Sequence, residues 1–272
     1  MSRDGASSGD GSSTRHASSN GASSGGPIFI QALALGLDAG WRRRTDAERA
    51  DDGRTFLEAE AESGALGVRS ITYSSIGLEP GTDILLWRMA PAVDALEEAA
   101  ATLLRSGVGR WLTVQHSFIG RIGPSQYVKK PTAQEQSLFA GERSRYLVVY
   151  PFTKSTDWYL TPPEDRQKVM NEHMKVGHRY ADIRQVLAYS FGLDSQDFVV
   201  AYEADDLGQF GDLVRDLRGT ESRRSTLSDT PILLGVHRPM AEILMLLGVP
   251  SEAAAPIEVE PLEPAAIGNG AR

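Results

Sequence analysis

A histidine and its neighbours on one helical face are the first residues in this chain whose spacing could do chemistry. In the segment from Pro162 to about Tyr180, the apolar residues Val169 and Val176 flank His173 at helical spacing. This pattern predicts a face that packs on a sheet. Two interpretations stay open: a core histidine hydrogen-bonded to a carbonyl, or a metal ligand directed between helix and sheet. Because no second histidine or carboxylate lies four residues on, five-coordinate haem iron would suit the second interpretation better than zinc.

A tyrosine and several cationic side chains are the other candidates. Tyr150 lies in the middle of an apolar run and is followed by Pro151-Phe152-Thr153-Lys154. A tyrosine in mid-strand is usually a core residue whose hydroxyl is hydrogen-bonded. Lys130, Lys154 and Arg218 are most simply solvated surface residues in an acidic protein. They become binding candidates if the ligand carries carboxylates, which cationic side chains bind through charge-assisted hydrogen bonds.

Composition excludes several classes of function. The 272 residues carry a formal net charge of −8 and include no cysteine. The acidic balance argues against a nucleic-acid partner, because phosphate contacts normally need a basic face. The lack of cysteine excludes disulfides, iron–sulfur clusters and thiol nucleophiles. No glycine-rich phosphate-binding loop ending in Gly-Lys-Ser or Gly-Lys-Thr is present either.

The candidate residues must be positioned by an alternation of strands and helices that occurs twice along the chain. Apolar alternation, turn residues and helical periodicity predict the order strand–helix–strand–strand–helix–strand in each half. In the first half these elements are Pro27–Leu37, Trp41 to about Glu62, Val68–Gly77, Asp83–Met89, Ala92–Leu104 and Trp111–Ile119. In the second half they are Arg145–Phe152, Pro162 to about Tyr180, Arg184–Phe191, Phe198–Glu203, Leu207–Leu217 and Pro231–Val236. We expect Thr161 and Glu164 to form a capping box where the Pro162 helix begins.

Short sequence echoes indicate that the second half duplicates the first. The run Tyr73-Ser74-Ser75-Ile76-Gly77-Leu78 is matched by Tyr189-Ser190-Phe191-Gly192-Leu193 at the same place in the order. A βαββαβ order is that of a ferredoxin-like domain. The predicted fold is therefore α+β: two ferredoxin-like βαββαβ halves that form a dimeric α+β barrel, with the helices outside.

Composition also divides the chain into four segments. Residues 1–26 are a Ser/Gly-rich tail and residues 250–272 an Ala/Pro/Glu-rich tail, and both are expected to be disordered and dispensable. The N-terminal half with a polar connector takes residues 27–142, and the C-terminal half takes 143–249. No apolar run approaches the roughly 18 residues that a membrane helix needs, and the start of the chain lacks a signal-peptide pattern. We therefore expect a cytoplasmic protein without a membrane span.

Four motifs in the second half occur together in one known family. They are Tyr150-Pro151-Phe152-x-Lys154, Trp158-Tyr159-Leu160, Met170-x-x-His173-x-x-x-Gly177-x-x-Tyr180 and Leu217-Arg218-x-x-Glu221. In this combination they resemble the chlorite dismutase superfamily, and within it the peroxide-dependent coproheme decarboxylase branch. The resemblance extends over roughly residues 27–248. It implies the duplicated barrel already predicted, with a haem site in the C-terminal half.

The resemblance implies a role for four of the candidates. His173 corresponds to the proximal axial ligand of the haem iron. Tyr150 corresponds to the catalytic tyrosine of coproheme decarboxylases. Lys154 and Arg218 correspond to a lysine and an arginine that bind propionates of the substrate.

Gln185 and Lys130 complete the set of expected substrate-binding residues. Gln185 stands where chlorite dismutases have a distal arginine, and glutamine there is similar to the decarboxylases. Arg184 cannot simply replace that arginine, because adjacent residues of a strand face opposite sides.

The function implied is peroxide-dependent decarboxylation of two propionates of iron-coproporphyrin III to give haem b, with hydrogen peroxide as the oxidant. Two alternatives stay open. A chlorite dismutase-like or peroxidase activity would want an arginine at position 185. A non-catalytic haem-binding or carrier protein would need His173 but neither Tyr150 nor Lys154. The family further implies a homo-oligomer, often a homopentamer.

Overall fold

The βαββαβ order occurs twice in the structure, a computed structural model that describes residues 26–127 and 141–254. The first half consists of β1 (Ile28–Leu37), α1 (Asp46–Ala65), β2 (Arg69–Glu79), β3 (Thr82–Ala90), α2 (Val93–Arg105) and β4 (Leu112–Ile122). The second half consists of β5 (Tyr146–Lys154), α3 (Thr156–Leu160), α4 (Pro163–Gly177), β6 (Arg184–Tyr189), β7 (Phe198–Ala204), α5 (Leu207–Arg218), β8 (Thr226–Ser228), β9 (Leu233–His237) and α6 (Met240–Leu246). A 3-10 turn over Glu221–Ser225 follows α5 and matters for the site.

The sheet closes on itself as an antiparallel barrel. Its strands follow the order β7-β6-β4-β1-β3-β2-β9-β5, and β5 pairs again with β7, while the short β8 adds to the end of β5. The α+β class expected from the sequence is confirmed. Within the barrel the first half contributes β4-β1-β3-β2 and the second half β9-β5-β7-β6, so corresponding strands occupy corresponding places. A duplicated unit would give this agreement, and the ferredoxin-like description of the halves stays an interpretation.

The two halves differ in how well their helices cover the sheet. In the first half, α1 and α2 bury a large apolar cluster that includes Trp41, Phe56 and Leu103, each 2% exposed or less. In the second half the cluster under the helices is small, with Leu213 as the only fully buried residue that α5 contributes and none from α4. The second-half sheet is therefore thinly covered on its outer face, where the candidate residues lie.

A completely buried carboxylate connects the two halves. Glu203 on β7 accepts a hydrogen bond from the hydroxyl of Tyr73 on β2 at 2.7 Å. Arg184 places Nη2 2.9 Å from the other carboxylate oxygen, and Arg143 lies 3.6 Å away. Burial and the Glu203 charge raise the pKa of the Tyr73 hydroxyl, so that it stays a donor. A buried charge is costly unless paired and hydrogen-bonded, and here both halves supply the partners.

Two local expectations differ from the structure. Helix α4 has Pro162 as its N-cap and no side-chain cap hydrogen bond, so the capping box expected from Thr161 and Glu164 is wrong. Thr161 instead follows α3, where its hydroxyl donates to the Asp157 carbonyl at 2.7 Å. Thr161 therefore caps the end of α3 rather than the start of α4.

The C-terminal boundary also lies further along than position 249. A 3-10 turn over Ser251–Ala253 returns the chain to the first-half core, where Ala254 is 4% exposed and packs in the same cluster as Val249. The described chain thus packs as far as Ala254, and the expectation of a dispensable tail stays a prediction for the residues beyond it. Residues 1–25 and 255–272 lie outside the described part.

Removing the hydroxyl of Tyr73 should destabilise the barrel because it leaves the buried Glu203 carboxylate short of a donor. Tyr73→Phe should lower the free energy of unfolding by about 1.5–3 kcal/mol, the range for hydrogen bonds to charged groups. Urea denaturation followed by circular dichroism measures the change. The matched control is Tyr146→Phe, since the described residues give the Tyr146 hydroxyl no hydrogen bond; it should shift stability by no more than about 0.5 kcal/mol. Equal losses in the two variants would contradict this role for Tyr73.

Candidate functional site

Strand pairing places two candidate side chains, Tyr150 and Gln185, on one face of the second-half sheet together with Tyr202. Tyr150 on β5 lies opposite Val200 on β7, and Tyr202, two residues further along β7, lies opposite Gln185 on β6. Directly opposed residues of antiparallel strands point to the same side, and alternate residues of one strand share that side. Val149, the neighbour of Tyr150 on β5, points to the opposite side and is completely buried in the barrel core. Tyr150, Tyr202 and Gln185 therefore face outward, towards the helices.

The surroundings of Tyr150 keep its hydroxyl protonated. Its ring stacks on that of Tyr202 with centroids 6.1 Å apart. Burial raises the pKa of Tyr150 well above its usual value, and the neighbouring hydroxyl of Tyr202 and the charge of Asp229 raise it further. Arg218 acts in the opposite direction. The phenol thus keeps its hydrogen at any physiological pH, with one cation and one carboxylate close enough to affect it.

Helix α4 carries His173 but does not bury a face against the strands. None of its residues is fully buried, and it packs mainly against α5 and the 3-10 turn over Glu221–Ser225. The expectation that the His173 face packs on the sheet is therefore wrong for the described residues. Val169, Met170 and Val176 surround His173 at the preceding and following turns and stay half-buried. The helix presents an apolar surface around one imidazole.

His173 is held from its Nδ1 side. Nδ1 lies 3.0 Å from the hydroxyl oxygen of Ser222, whose residue is 4% exposed. Burial and, to a smaller extent, the nearby positive charge of Lys154 lower the pKa of His173 to about 4. The ring is therefore neutral at physiological pH, and the described residues give Nε2 no hydrogen bond. A neutral imidazole with Nε2 available has the form that a metal ligand needs.

Lys154 lies on the histidine side of the site. Its ammonium donates to the Ser222 carbonyl at 2.8 Å and to the Thr226 hydroxyl at 3.1 Å, and it lies 4.7 Å from the centre of the Trp158 ring. Burial lowers the pKa of Lys154 to about 8, with a smaller effect from the charge of Arg223. Two of its three N–H groups thus have protein partners, and one is left for a ligand.

Arg218 is held near the other end of the site by a carboxylate. Asp229 lies 3.6 Å from Nη2 of Arg218 and accepts a hydrogen bond from Arg223 at 2.6 Å. The Arg218 side chain is 53% exposed, whereas that of Asp229 is 19% exposed. One carboxylate therefore orients two guanidinium groups and leaves a surplus of positive charge, which suits an anionic ligand.

Arg184 is separate from this arrangement. As the alternation of the strand requires, Arg184 points away from Gln185 and pairs with the buried Glu203. Lys130 lies outside the described residues, so its role stays a prediction.

Four residues that the sequence did not single out complete the site. Ser222 joins His173 to Lys154, Asp229 joins Arg218 to Arg223, Tyr202 stacks on Tyr150, and Thr220 lies 3.3 Å from the Ser222 hydroxyl. Thr220 occupies the second position marked x in the Leu217-Arg218-x-x-Glu221 motif and Ser222 directly follows the motif, and no spacing rule singles out a serine there. Glu221, which the motif does contain, pairs with Arg224 instead.

Comparison with known proteins places this arrangement in a family. The family described as chlorite dismutase matches residues 46–238. The chain belongs to the chlorite dismutase family. A curated relative, the coproheme decarboxylase of Mycolicibacterium smegmatis, is 32% identical over 191 residues, which are 70% of this chain and 80% of that protein.

Solved structures of relatives share the fold of this chlorite dismutase family member. A variant of the chlorite dismutase from Candidatus Nitrospira defluvii has a TM-score of 0.73 at 23% identity, over 84% of this chain and 95% of that one. A second variant of the same enzyme, 25% identical, has a TM-score of 0.70 over 80% and 94% of the two chains. These likenesses establish the overall architecture rather than the reaction.

The single histidine donor in this family member suits a metal that most of its ligands already hold, rather than a bare metal ion. Across residues 26–127 and 141–254, no three His, Asp or Glu side chains converge to hold a bare metal ion. His173 offers one nitrogen, and the sheet opposite presents apolar surface such as Leu187, which is 39% exposed. One nitrogen, apolar walls and cations at the edge fit a porphyrin iron with carboxylate substituents. Within the same ranges, no helix is long and apolar enough to cross a membrane.

The lowered pKa of His173 predicts a specific loss of stability in acid. Between its folded value of about 4 and the ordinary value of 6.5, the unfolded chain binds one more proton than the folded chain. The free energy of unfolding should therefore fall as the pH decreases through this window, by up to about 1.4 kcal/mol per pH unit from this group. His173→Gln should remove that contribution and flatten the stability profile of the ligand-free protein between these pH values.

Urea unfolding at a series of pH values measures both slopes. His178→Gln is the matched control, because His178 is an exposed histidine five residues further along and should leave the wild-type slope unchanged. Parallel profiles for wild type and His173→Gln would show that His173 is not buried in its neutral form.

Proposed function

We propose that this chlorite dismutase family member is a peroxide-dependent coproheme decarboxylase that converts iron-coproporphyrin III to haem b. The observation that supports this most is Tyr150, which faces the ligand side of the sheet as a protonated phenol beside Arg218 and Asp229. A protein that only carried haem would not need such a group. The coproheme decarboxylase of Mycolicibacterium smegmatis, similar over most of its length, points in the same direction.

Each end of the substrate has protein groups that could bind it. His173 would hold the iron of the substrate through Nε2, and that iron would supply the activation of peroxide. Arg218 and the remaining N–H of Lys154 would donate charge-assisted hydrogen bonds to propionates, each worth roughly 1.5–3 kcal/mol. Apolar residues of α4 and the outward side of β6 would enclose the macrocycle and exclude water. The protein thereby fixes which propionate lies beside the Tyr150 hydroxyl.

The overall reaction balances with one peroxide for each propionate. A propionate group, –CH2–CH2–COO⁻, becomes a vinyl group, –CH=CH2, and loses one CO2, one proton and two electrons. Hydrogen peroxide accepts the two electrons and, with protons, becomes two molecules of water. Coproheme is the substrate, and its iron supplies the activation of peroxide.

Tyr150 would connect the oxidant to the propionate. Oxidised Tyr150, having lost its phenolic hydrogen, abstracts a hydrogen atom from the propionate carbon adjacent to the ring system. A second electron is then lost and the carbon–carbon bond to the carboxylate breaks. The raised pKa of Tyr150 suits this role, because only a protonated phenol has a hydrogen atom to give up. The contact with Tyr202 adds a second aromatic ring next to the first.

A chlorite dismutase-like or peroxidase activity is the second candidate. The residue that faces the ligand side on β6 is Gln185, whereas Arg184 is occupied with the buried Glu203. An amide carries no charge with which to hold an anionic oxidant, so this candidate ranks lower. A homopentameric assembly and a cytoplasmic location stay predictions from the family resemblance.

Tyr150→Phe separates a decarboxylase from a haem carrier. The variant keeps the ring and its packing, so it should bind coproheme like the wild type, yet its decarboxylation should nearly stop because phenylalanine has no phenolic hydrogen. Mass spectrometry of the porphyrins after stepwise addition of peroxide to the purified coproheme complex measures both products. Tyr146→Phe, four residues earlier on the same strand and face, is the matched control and should convert coproheme normally. Normal formation of haem b by Tyr150→Phe would overturn the proposed mechanism.

Arg218→Met should weaken coproheme binding more than haem b binding, since coproheme carries two additional propionates. Loss of one charge-assisted hydrogen bond predicts roughly a tenfold or larger increase in Kd. Absorption titration of the ligand-free protein with each porphyrin measures it. Arg215→Met removes a 75%-exposed arginine from the same helix and should change neither Kd. Equal losses for both porphyrins in Arg218→Met would show that Arg218 does not contact the reactive propionates.

A further inference from the structure

We propose that a directed chain of hydroxyl groups, Ser222 and then Thr220, fixes the neutral ring of His173 in the tautomer that carries its hydrogen on Nδ1. This proposal rests on the proposed function, because it concerns which nitrogen His173 presents to the substrate iron. Ser222 and Thr220 would then be positioning residues for the ligand.

The chain ends at a group that can only accept. The hydroxyl of Thr220 lies 2.7 Å from the carbonyl oxygen of Leu217. A carbonyl has no hydrogen, and two oxygens at this separation attract each other only if a hydrogen lies between them. The single hydrogen of the Thr220 hydroxyl therefore points to Leu217.

That assignment decides the direction of the next contact. The hydroxyl oxygens of Thr220 and Ser222 are 3.3 Å apart, and the two residues are 5% and 4% exposed. Because the hydrogen of Thr220 is already committed, only Ser222 can donate in this pair. Both hydroxyls are buried, so water offers neither of them an easy alternative.

The hydrogen of Ser222 is then also committed, which decides the third contact. The Ser222 oxygen lies 3.0 Å from Nδ1 of His173. A hydroxyl has one hydrogen but can accept twice, so in this pair Ser222 accepts and His173 donates. The opposite tautomer would leave one of the three contacts without a hydrogen. Nδ1 therefore carries the hydrogen, and Nε2 carries the lone pair.

The backbone around Ser222 is held by contacts that do not involve the chain of hydroxyl groups. Lys154 donates to the Ser222 carbonyl at 2.8 Å, and the 3-10 turn that contains Ser222 packs against α4. Leu217 lies in the last turn of α5, where carbonyl groups carry partial negative charge, and its carbonyl also accepts from the backbone N–H of Thr220 at 3.1 Å. The chain thus directs a dipole from the imidazole towards the end of a helix. This arrangement prepares Nε2 before any ligand arrives, since the hydrogen bond at one ring nitrogen determines the state of the other.

Thr220→Val tests the direction of the chain without removing Ser222. Valine has nearly the shape of threonine but no hydroxyl, so Ser222 loses its acceptor and can turn its hydrogen towards Nδ1. The His173 ring should then shift towards the tautomer with hydrogen on Nε2. Thr220→Ser restores a hydroxyl and should restore the wild-type tautomer.

Nitrogen-15 NMR of the ligand-free protein at neutral pH measures the tautomer directly, because protonated and unprotonated ring nitrogens have well-separated shifts. Labelled His173→Gln assigns the His173 signals among those of the other four histidines. We expect hydrogen on Nδ1 in wild type and Thr220→Ser, and a shift towards Nε2 in Thr220→Val and Ser222→Ala. Hydrogen on Nε2 in the wild type, or an unchanged Nδ1 tautomer in Thr220→Val, would overturn the proposal.

Porphyrin binding supplies a second readout. Thr220→Val should bind haem b and coproheme with a Kd increased by the same factor, roughly three- to tenfold, as expected for the loss of one neutral hydrogen bond. Thr220→Ser should bind both like the wild type. The NMR result does not depend on decarboxylation: if the wild-type protein fails to make haem b, the proposed function fails while the tautomer is still decided. If Thr220→Val binds both porphyrins as tightly as wild type, the chain does not prepare His173 for iron.

Discussion

The antiparallel pairing of β5 with β7 is the constraint on which the site depends. It closes the barrel, and its register sends Leu147 and Val149 into the core while Tyr150 points outward. Because the side-chain period of a strand is two, a shift of one residue would exchange those faces. A buried core on one side therefore fixes the site on the other. The same register places Tyr202 and Gln185 beside Tyr150, although they are distant in sequence.

Stability and site are divided between different parts of the molecule. The barrel interior, the first-half helices and the buried Glu203 with its partners supply most of the buried structure. Helix α4 contributes no fully buried residue and is positioned by α5 and the 3-10 turn after it. A helix held at its side leaves its other surface and the sheet available to a flat ligand. Such a site needs little rearrangement of the core to open or fill.

Positive charge gathers at the candidate site of this acidic chain. Arg218 and Arg223 share one carboxylate, Asp229, and Arg223 also lies close enough to Lys154 to lower its pKa, so these three cations outnumber that carboxylate. The lowered pKa of Lys154 records the cost of this arrangement, because burial and a neighbouring cation both disfavour its charged form. A bound carboxylate would relieve that cost. The net charge of the whole chain, −8, says nothing about this local surplus.

The sequence by itself determined the order of elements, the α+β class and the family, because hydrophobic periodicity and motif spacing are local properties. It also marked His173, Tyr150, Lys154 and Arg218, through the motifs that resemble the family. Only the tertiary structure decided their surroundings. Ser222 contacts His173 across 49 residues of chain, and Thr220 contacts Ser222; no local pattern records a hydrogen bond between elements so far apart. The start of α4 and the half-buried face of His173 likewise follow from neighbouring helices, since packing and the end of α3 override a capping pattern and an amphipathic one.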